Sequence, residues 1–96
     1  MSDEVSAAVT ITHAVGLHAR PAITFTKLAK TFEASIRIRG RDDQPWVDAK
    51  SIVKVMALKL RTGAVLDMRA RGDDAEAAIA ALKGLVERDF DETGEA

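Results

Sequence analysis

Cysteine is absent from the 96 residues, which excludes disulfides, zinc–thiolate sites and thiol nucleophiles and fits a reducing compartment. Aromatic side chains amount to 4%, too few to lay out an array of base-stacking rings. No apolar run approaches the roughly 18–20 residues that a membrane-spanning helix requires. The start, Met1 to Val9, carries Asp3 and Glu4 where an export signal would carry basic residues. A cytoplasmic location without membrane insertion is the expectation. There is no internal repeat, no low-complexity tract and no linker rich in Pro, Gly or Ser. A Gly-x-x-x-x-Gly-Lys loop is missing, no acid and base pair is visible to drive hydrolysis, and His13 with His18 makes a poor metal pair. No cofactor and no metal are expected, and a self-contained hydrolase is not.

What is present suffices for one core. The chain is 47% apolar and 30% charged, the balance of a single soluble domain. Residues 5–88 are expected to form it, with 1–4 and 89–96 as loose ends. The net charge of -1 hides an uneven layout. Residues 13–71 hold 12 Lys or Arg against 5 Asp or Glu, whereas residues 72–96 hold 2 against 8. A positive face on a nearly neutral molecule can steer acidic partners or phosphate toward itself.

Val5, Ala7, Val9 and Ile11 alternate with small or polar neighbours, the period of a half-buried strand. After Gly16 the period changes to helical, with Ala22, Phe25, Ala29 and Phe32 on one stripe. Ile36 and Ile38 alternate with Arg37 and Arg39, then Gly40, Asp42 and Asp43 mark a turn before Pro45, Trp46 and Val47, which suggests a hairpin. Ala64 to Arg71 alternates most cleanly, with Leu66, Met68 and Ala70 on one face. Gly72 breaks that strand, Asp73 with Glu76 resembles a capping box, and Ala75, Ala78, Ile79, Leu82, Leu85 and Val86 form a last helical stripe. Between Ser51 and Leu60 the apolar residues exceed what one buried stripe of a short helix can hold, so some face water. The order βαββαβα predicts an α+β fold, a four-stranded antiparallel sheet with helices on one face, an open-faced sandwich.

Gly16-Leu17-His18-Ala19-Arg20-Pro21-Ala22 lies where the first strand passes to the first helix. Pro21 disfavours a helical Arg20 and lacks an N–H, so it belongs in or just before the first turn. His18 then stands at the helix's N-terminal edge, where free N–H groups and the positive dipole end favour an anion, phosphate above all. The same field disfavours imidazolium, leaving a neutral nucleophilic ring, and the nearby Arg20 guanidinium can hold phosphate oxygens with paired donors. On spacing alone, a lone His beside a helix start is more often a cap or a solvated loop residue.

The same string, followed by Phe25 and by Ala49-Lys50-Ser51-Ile52, resembles the HPr family, the histidine-containing phosphocarriers of the bacterial phosphoenolpyruvate-dependent phosphotransferase system (PTS). The resemblance implies that His18 accepts a phosphoryl group on Nδ1 from enzyme I and passes it to a histidine of a IIA component. Arg20 would pair with the phosphate, and the Ala19 and Arg20 N–H groups would accept its charge. It further implies a relay protein, not an enzyme, and a monomer. Ile52, Val53 and Met56 would be exposed as a partner dock while Val55 and Leu58 pack inward, with Lys27, Lys50, Lys54 and Lys59 around the patch. Ser51 matches a serine modified in many members by an HPr kinase/phosphorylase, although a serine there also serves simply as an N-cap. A regulatory paralogue of a nitrogen-type or dihydroxyacetone-type branch is the alternative within the family. An interaction module with an idle histidine is the rival class.

Two positions depart from the family pattern: His13 replaces a common Asn, and Lys59 replaces a common Gly after the second helix. His13 reads as a surface loop residue or as a second titratable ring affecting transfer. Arg37, Arg39, Arg69 and Arg71 alternate along strands, which puts them on a solvated sheet face. With no aromatic residues interleaved, nucleic acid is not expected there. Trp46 reads as packing.

Overall fold

A computed structural model of the chain describes residues 4–13, 19–40 and 44–90. The elements are β1 (Glu4–Thr10), α1 (Ala19–Ala29), β2 (Ser35–Arg39), β3 (Val47–Asp48), α2 (Ile52–Ala57), β4 (Val65–Arg71) and α3 (Ala75–Glu87). This is the βαββαβα order read from the sequence.

The strands pair antiparallel in the order β1-β4-β2-β3, so the cleanly alternating β4 is central. Its register sets Val9 against Leu66, and Ile36 and Ile38 against Ala70 and Met68, which aligns the apolar side chains of three strands on one face. The helices cover that face: α3 lies across β1 and β4, α1 packs beside α3 and α2, and α2 abuts β3. Phe25, Ile36, Ile38, Leu66, Met68, Leu82 and Leu85 form the fully enclosed centre of a single core. All six apolar positions of the last helical stripe are buried. On α1, Ala22, Phe25 and Ala29 are buried, and Phe32, beyond the helix end, is half-buried.

Four local readings change. Asp73 and Glu76 do not form a capping box: the N-cap residue of α3 is Asp74, and it makes no cap hydrogen bond. Its carboxylate instead accepts from the N–H groups of Glu33 (2.9 Å) and Ala34 (2.8 Å), joining the turn before β2 to the start of α3. Glu4, assigned to a loose end, begins β1 and pairs with Arg71. Phe90, assigned to the other end, is buried, with its N–H on the Leu85 carbonyl at 2.8 Å. A large apolar ring contributes more by closing over the core than by fraying into water. Finally, Trp46 is more than packing, because it lies on the open sheet face with the Arg39 and Arg69 guanidinium groups over its ring at 4.5 and 4.2 Å.

Gly72 has φ of +140°, and a Cβ there would approach the Ala34 Cα to 3.0 Å, so both conformation and space require glycine where β4 turns into α3.

Candidate functional site

His18 lies outside the described residues, as do Ala14 to Leu17; Ala19, the next residue, opens α1. Ala19 and Arg20 are exposed, and Pro21 is buried as the third residue of the helix. Pro21 therefore stands where a backbone N–H would find no intrahelical carbonyl. The Ala19 and Arg20 N–H groups precede the first intrahelical bond, at the positive end of an eleven-residue helix with no acidic residue in its first turn. Such an end favours an anion over a cation.

The chain entering this region is held on its other side. Beyond β1, the Ile11 N–H donates to the Ala64 carbonyl (2.9 Å), and the Gly63 N–H donates to the Ile11 carbonyl (2.7 Å). The Thr12 hydroxyl donates to the Asp89 carboxylate at 2.5 Å, and the Thr62 hydroxyl donates to the His13 carbonyl at 2.6 Å. The His13 ring is half-buried and meets Phe90 edge to face, with centroids 5.7 Å apart and planes at 74°. His13 is thus part of an anchor between the end of β1 and the C-terminal turn, not a free surface residue. Residues 14–18 connect this anchor to the N-terminus of α1.

On α2 the apolar residues divide as the family resemblance implies, except at Ile52, which was expected to be exposed. Val55 and Leu58 are buried, Val53 is 75% and Met56 39% exposed, and Ile52 is half-buried against the core. Ile23, on the neighbouring α1, is 54% exposed. Sequence reading missed Ile23; the available signal was that it follows Ala22 and so falls off the buried stripe. Lys27, Lys54 and Lys59 are exposed. Lys50 is turned away from this set, since its ammonium group donates to the Phe32 carbonyl at 2.7 Å.

Ser51 is the N-cap of α2, half-buried and extended, and its Oγ accepts from the Lys54 N–H at 3.3 Å. Beyond α2, Lys59 has φ of +53°, the left-handed conformation for which glycine is suited. Among the described residues, no group of three or more His, Cys, Asp or Glu is placed to hold a metal ion. Nor, among those residues, is any helix long and apolar enough to cross a membrane.

A family model described as the PTS HPr component phosphorylation site matches residues 5–88. The phosphocarrier protein HPr of Mycoplasma capricolum is 44% identical over 73 residues, covering 76% of this chain and 80% of that protein. The phosphocarrier protein NPr of Escherichia coli K12 is 33% identical over 88 residues, covering 92% of this chain and 97% of its own. The crystal structure of HPr-C-His from Thermoanaerobacter tengcongensis superposes with a TM-score of 0.83 at 39% identity, covering 96% and 98% of the two chains. Sequence motif, element order and superposition agree: the chain belongs to the HPr family of phosphotransferase-system phosphocarriers.

Proposed function

We propose that His18 is the phosphoryl acceptor, charged by enzyme I and discharged to a histidine of a IIA component. The observation that carries this reading is the exposed N-terminus of α1, where the Ala19 and Arg20 N–H groups and the Arg20 guanidinium immediately follow His18 in sequence. A neutral His18 has a lone pair on Nδ1. That lone pair forms the new P–N bond as the bond to the donor's imidazole breaks, and the bonding pair returns to the donor ring. The exchange is symmetric in bond type, so positioning and charge stabilisation supply the catalysis. Arg20 takes phosphate oxygens with its paired donors, and the helix N-terminus accepts the remaining charge.

The exposed Val53 and Met56, with Lys27 and Lys54 beside them, form the surface on which both partners dock in turn. Apolar contacts there set affinity, and the lysines set the rate of encounter with acidic surfaces. Ser51 at the start of α2 is a modification site whose phosphate would set a dianion against that surface. Residues 5–88 act as the one functional domain, working as a monomer in the cytoplasm.

Onward transfer tests the relay. Protein carrying isotopically labelled phosphate is separated from enzyme I and mixed with a IIA component. The label is expected to move to the IIA histidine within the mixing time. Retention of the label, with an intact fold, would leave the protein an acceptor only and favour the regulatory alternative.

A further inference from the structure

The helices cover one face of the sheet; the other carries an arrangement that the phosphoryl relay does not use. In the β2–β4 register Arg37 stands directly opposite Arg69, and Ser35 opposite Arg71. Like charges directly across an antiparallel pair destabilise it, so the sequence accepts a local cost here. Arg69 is partly compensated by Glu4 at 3.8 Å, and Arg39 by Asp67 at 3.4 Å. Arg37 and Arg71 are exposed and take no ion pair among the described residues. Together these side chains enclose a recess of about 250 Å³ lined by Glu4, Ser35, Arg37, Arg69, Ala70 and Arg71.

We propose that this recess binds a phosphomonoester dianion carried by a small molecule. Outward-facing residues two apart on a strand lie roughly 7 Å from each other, and directly opposed residues roughly 5 Å. Ser35, Arg37, Arg69 and Arg71 therefore stand at the corners of one small rectangle, where the Arg37 and Arg71 guanidinium groups and the Ser35 hydroxyl can reach a single tetrahedral anion, with the charge of Arg69, whose guanidinium lies over Trp46 and near Glu4, beside it. Bound there, the dianion screens Arg37 from Arg69 and removes the cost of their opposition.

The surroundings decide the size of the ligand. Asp48 stands opposite Arg37, Asp67 opposite Arg39, and Glu4 opposite Arg71. Carboxylates thus border the basic cluster on three sides, and a polyanion following the sheet would meet one in each of those directions. The only tryptophan of the chain already carries two guanidinium groups over its ring, so it is not a vacant platform for a nucleobase. The recess lies at the Arg71 end of β4, roughly 20 Å along the strand from Val65 at its other end, and on the face opposite the helices. A ligand on the open face and a protein on the helical face can therefore bind together. This inference does not depend on the role of His18.

Because Trp46 lies 4.2 Å from the Arg69 guanidinium, its fluorescence reports the recess. The intact chain is titrated with glycerol 3-phosphate, inorganic phosphate, glycerol, sodium chloride at matched ionic strength and a short oligothymidylate, with calorimetry in parallel. Saturable binding of glycerol 3-phosphate with a dissociation constant of about 1 mM or tighter is expected. Arg37→Gln/Arg71→Gln should weaken it about tenfold or more, by loss of charge-assisted hydrogen bonds, without lowering the melting temperature. Glu4→Gln should tighten it. Inorganic phosphate binding more tightly than the ester would overturn the assignment to an ester. The proposal also fails if glycerol 3-phosphate gives no saturable signal by either method, if sodium chloride reproduces its effect, or if the double variant binds as the parent does. Binding of the oligothymidylate alone would replace it with a polyanion surface.

Discussion

Asp74 and Ala34 are 40 residues apart in the chain, yet the Asp74 carboxylate accepts the Ala34 N–H at 2.8 Å while also accepting that of Glu33 at 2.9 Å. One side chain thereby fixes the corner at which α1 passes into β2 against the start of α3. The Glu33 N–H is the largest influence holding this carboxyl below its ordinary value; the Ala34 N–H and the charge of Lys50 add to it, and desolvation acts the other way.

Acid stability should register that pair of bonds. Folding lowers the Asp74 pKa, so its contribution is complete above the ordinary value of about 3.9 and is lost as pH falls through the lower folded-state value. Urea midpoints of the parent and Asp74→Ala are expected to differ at pH 6 and to converge below about pH 3.9. A constant difference down to pH 2 would mean that the carboxylate's charge state is irrelevant to the corner.

Val53 and Val55 are two residues apart on α2, but Val53 is 75% exposed and Val55 fully enclosed. Val55→Ala should cost about 2 kcal/mol in denaturant unfolding. Val53→Ser should leave stability within about 0.5 kcal/mol while raising the KM for enzyme I. The docking assignment is wrong if Val53→Ser transfers phosphate with an unchanged KM.

Lys59 adopts φ of +53° without the steric freedom of glycine. Lys59→Gly relieves this strain but increases the freedom of the unfolded chain, for an expected net gain of about 0.5–1 kcal/mol. Equilibrium denaturation measures it directly, and a net loss would show that the turn is held by the lysine side chain.

Ser51 is both cap and proposed modification site, and two substitutions separate the roles. Ser51→Ala removes the acceptor for the Lys54 N–H and should cost about 1 kcal/mol with transfer nearly intact. Ser51→Asp can still cap, so it should preserve stability while slowing transfer to IIA. Equal transfer rates in the two variants would reduce Ser51 to a structural residue.

Most of the architecture was legible because it follows from side-chain periodicity. The strict alternation from Leu66 to Ala70 and the three- and four-residue spacing from Ala75 to Val86 leave few ways to bury those groups. That some apolar residues of α2 face water was legible from their excess, but which ones came from the family resemblance, and Ile52, expected to be exposed, is half-buried against the core. Contacts between distant residues were not: the Thr12–Asp89 hydrogen bond spans 77 residues, and no local pattern announces it. Asp74 was hidden because Asp73 and Glu76 offered a plausible local cap, whereas tertiary N–H donors recruited its neighbour. Trp46 was misjudged because its face depends on the β2–β3 register, which pairs Arg37 with Asp48 and carries Trp46, two residues earlier, to the arginine side. At the candidate site, the place of Pro21 in the first turn of α1 was read from the proline and the change of period, but Arg20, which the proline was expected to keep out of the helix, is its second residue, and Ile23 went unseen beside the buried stripe.

The central claim is chemical and confined to one imidazole. Parent protein and His18→Ala are incubated with phosphoenolpyruvate, magnesium and enzyme I, and the phosphate bound to each is tested for stability in acid and in base. The account predicts one acid-labile, base-stable phosphate on the parent and none on His18→Ala. Equal labelling of the two proteins, or a phosphate found on Ser51 alone, would contradict it.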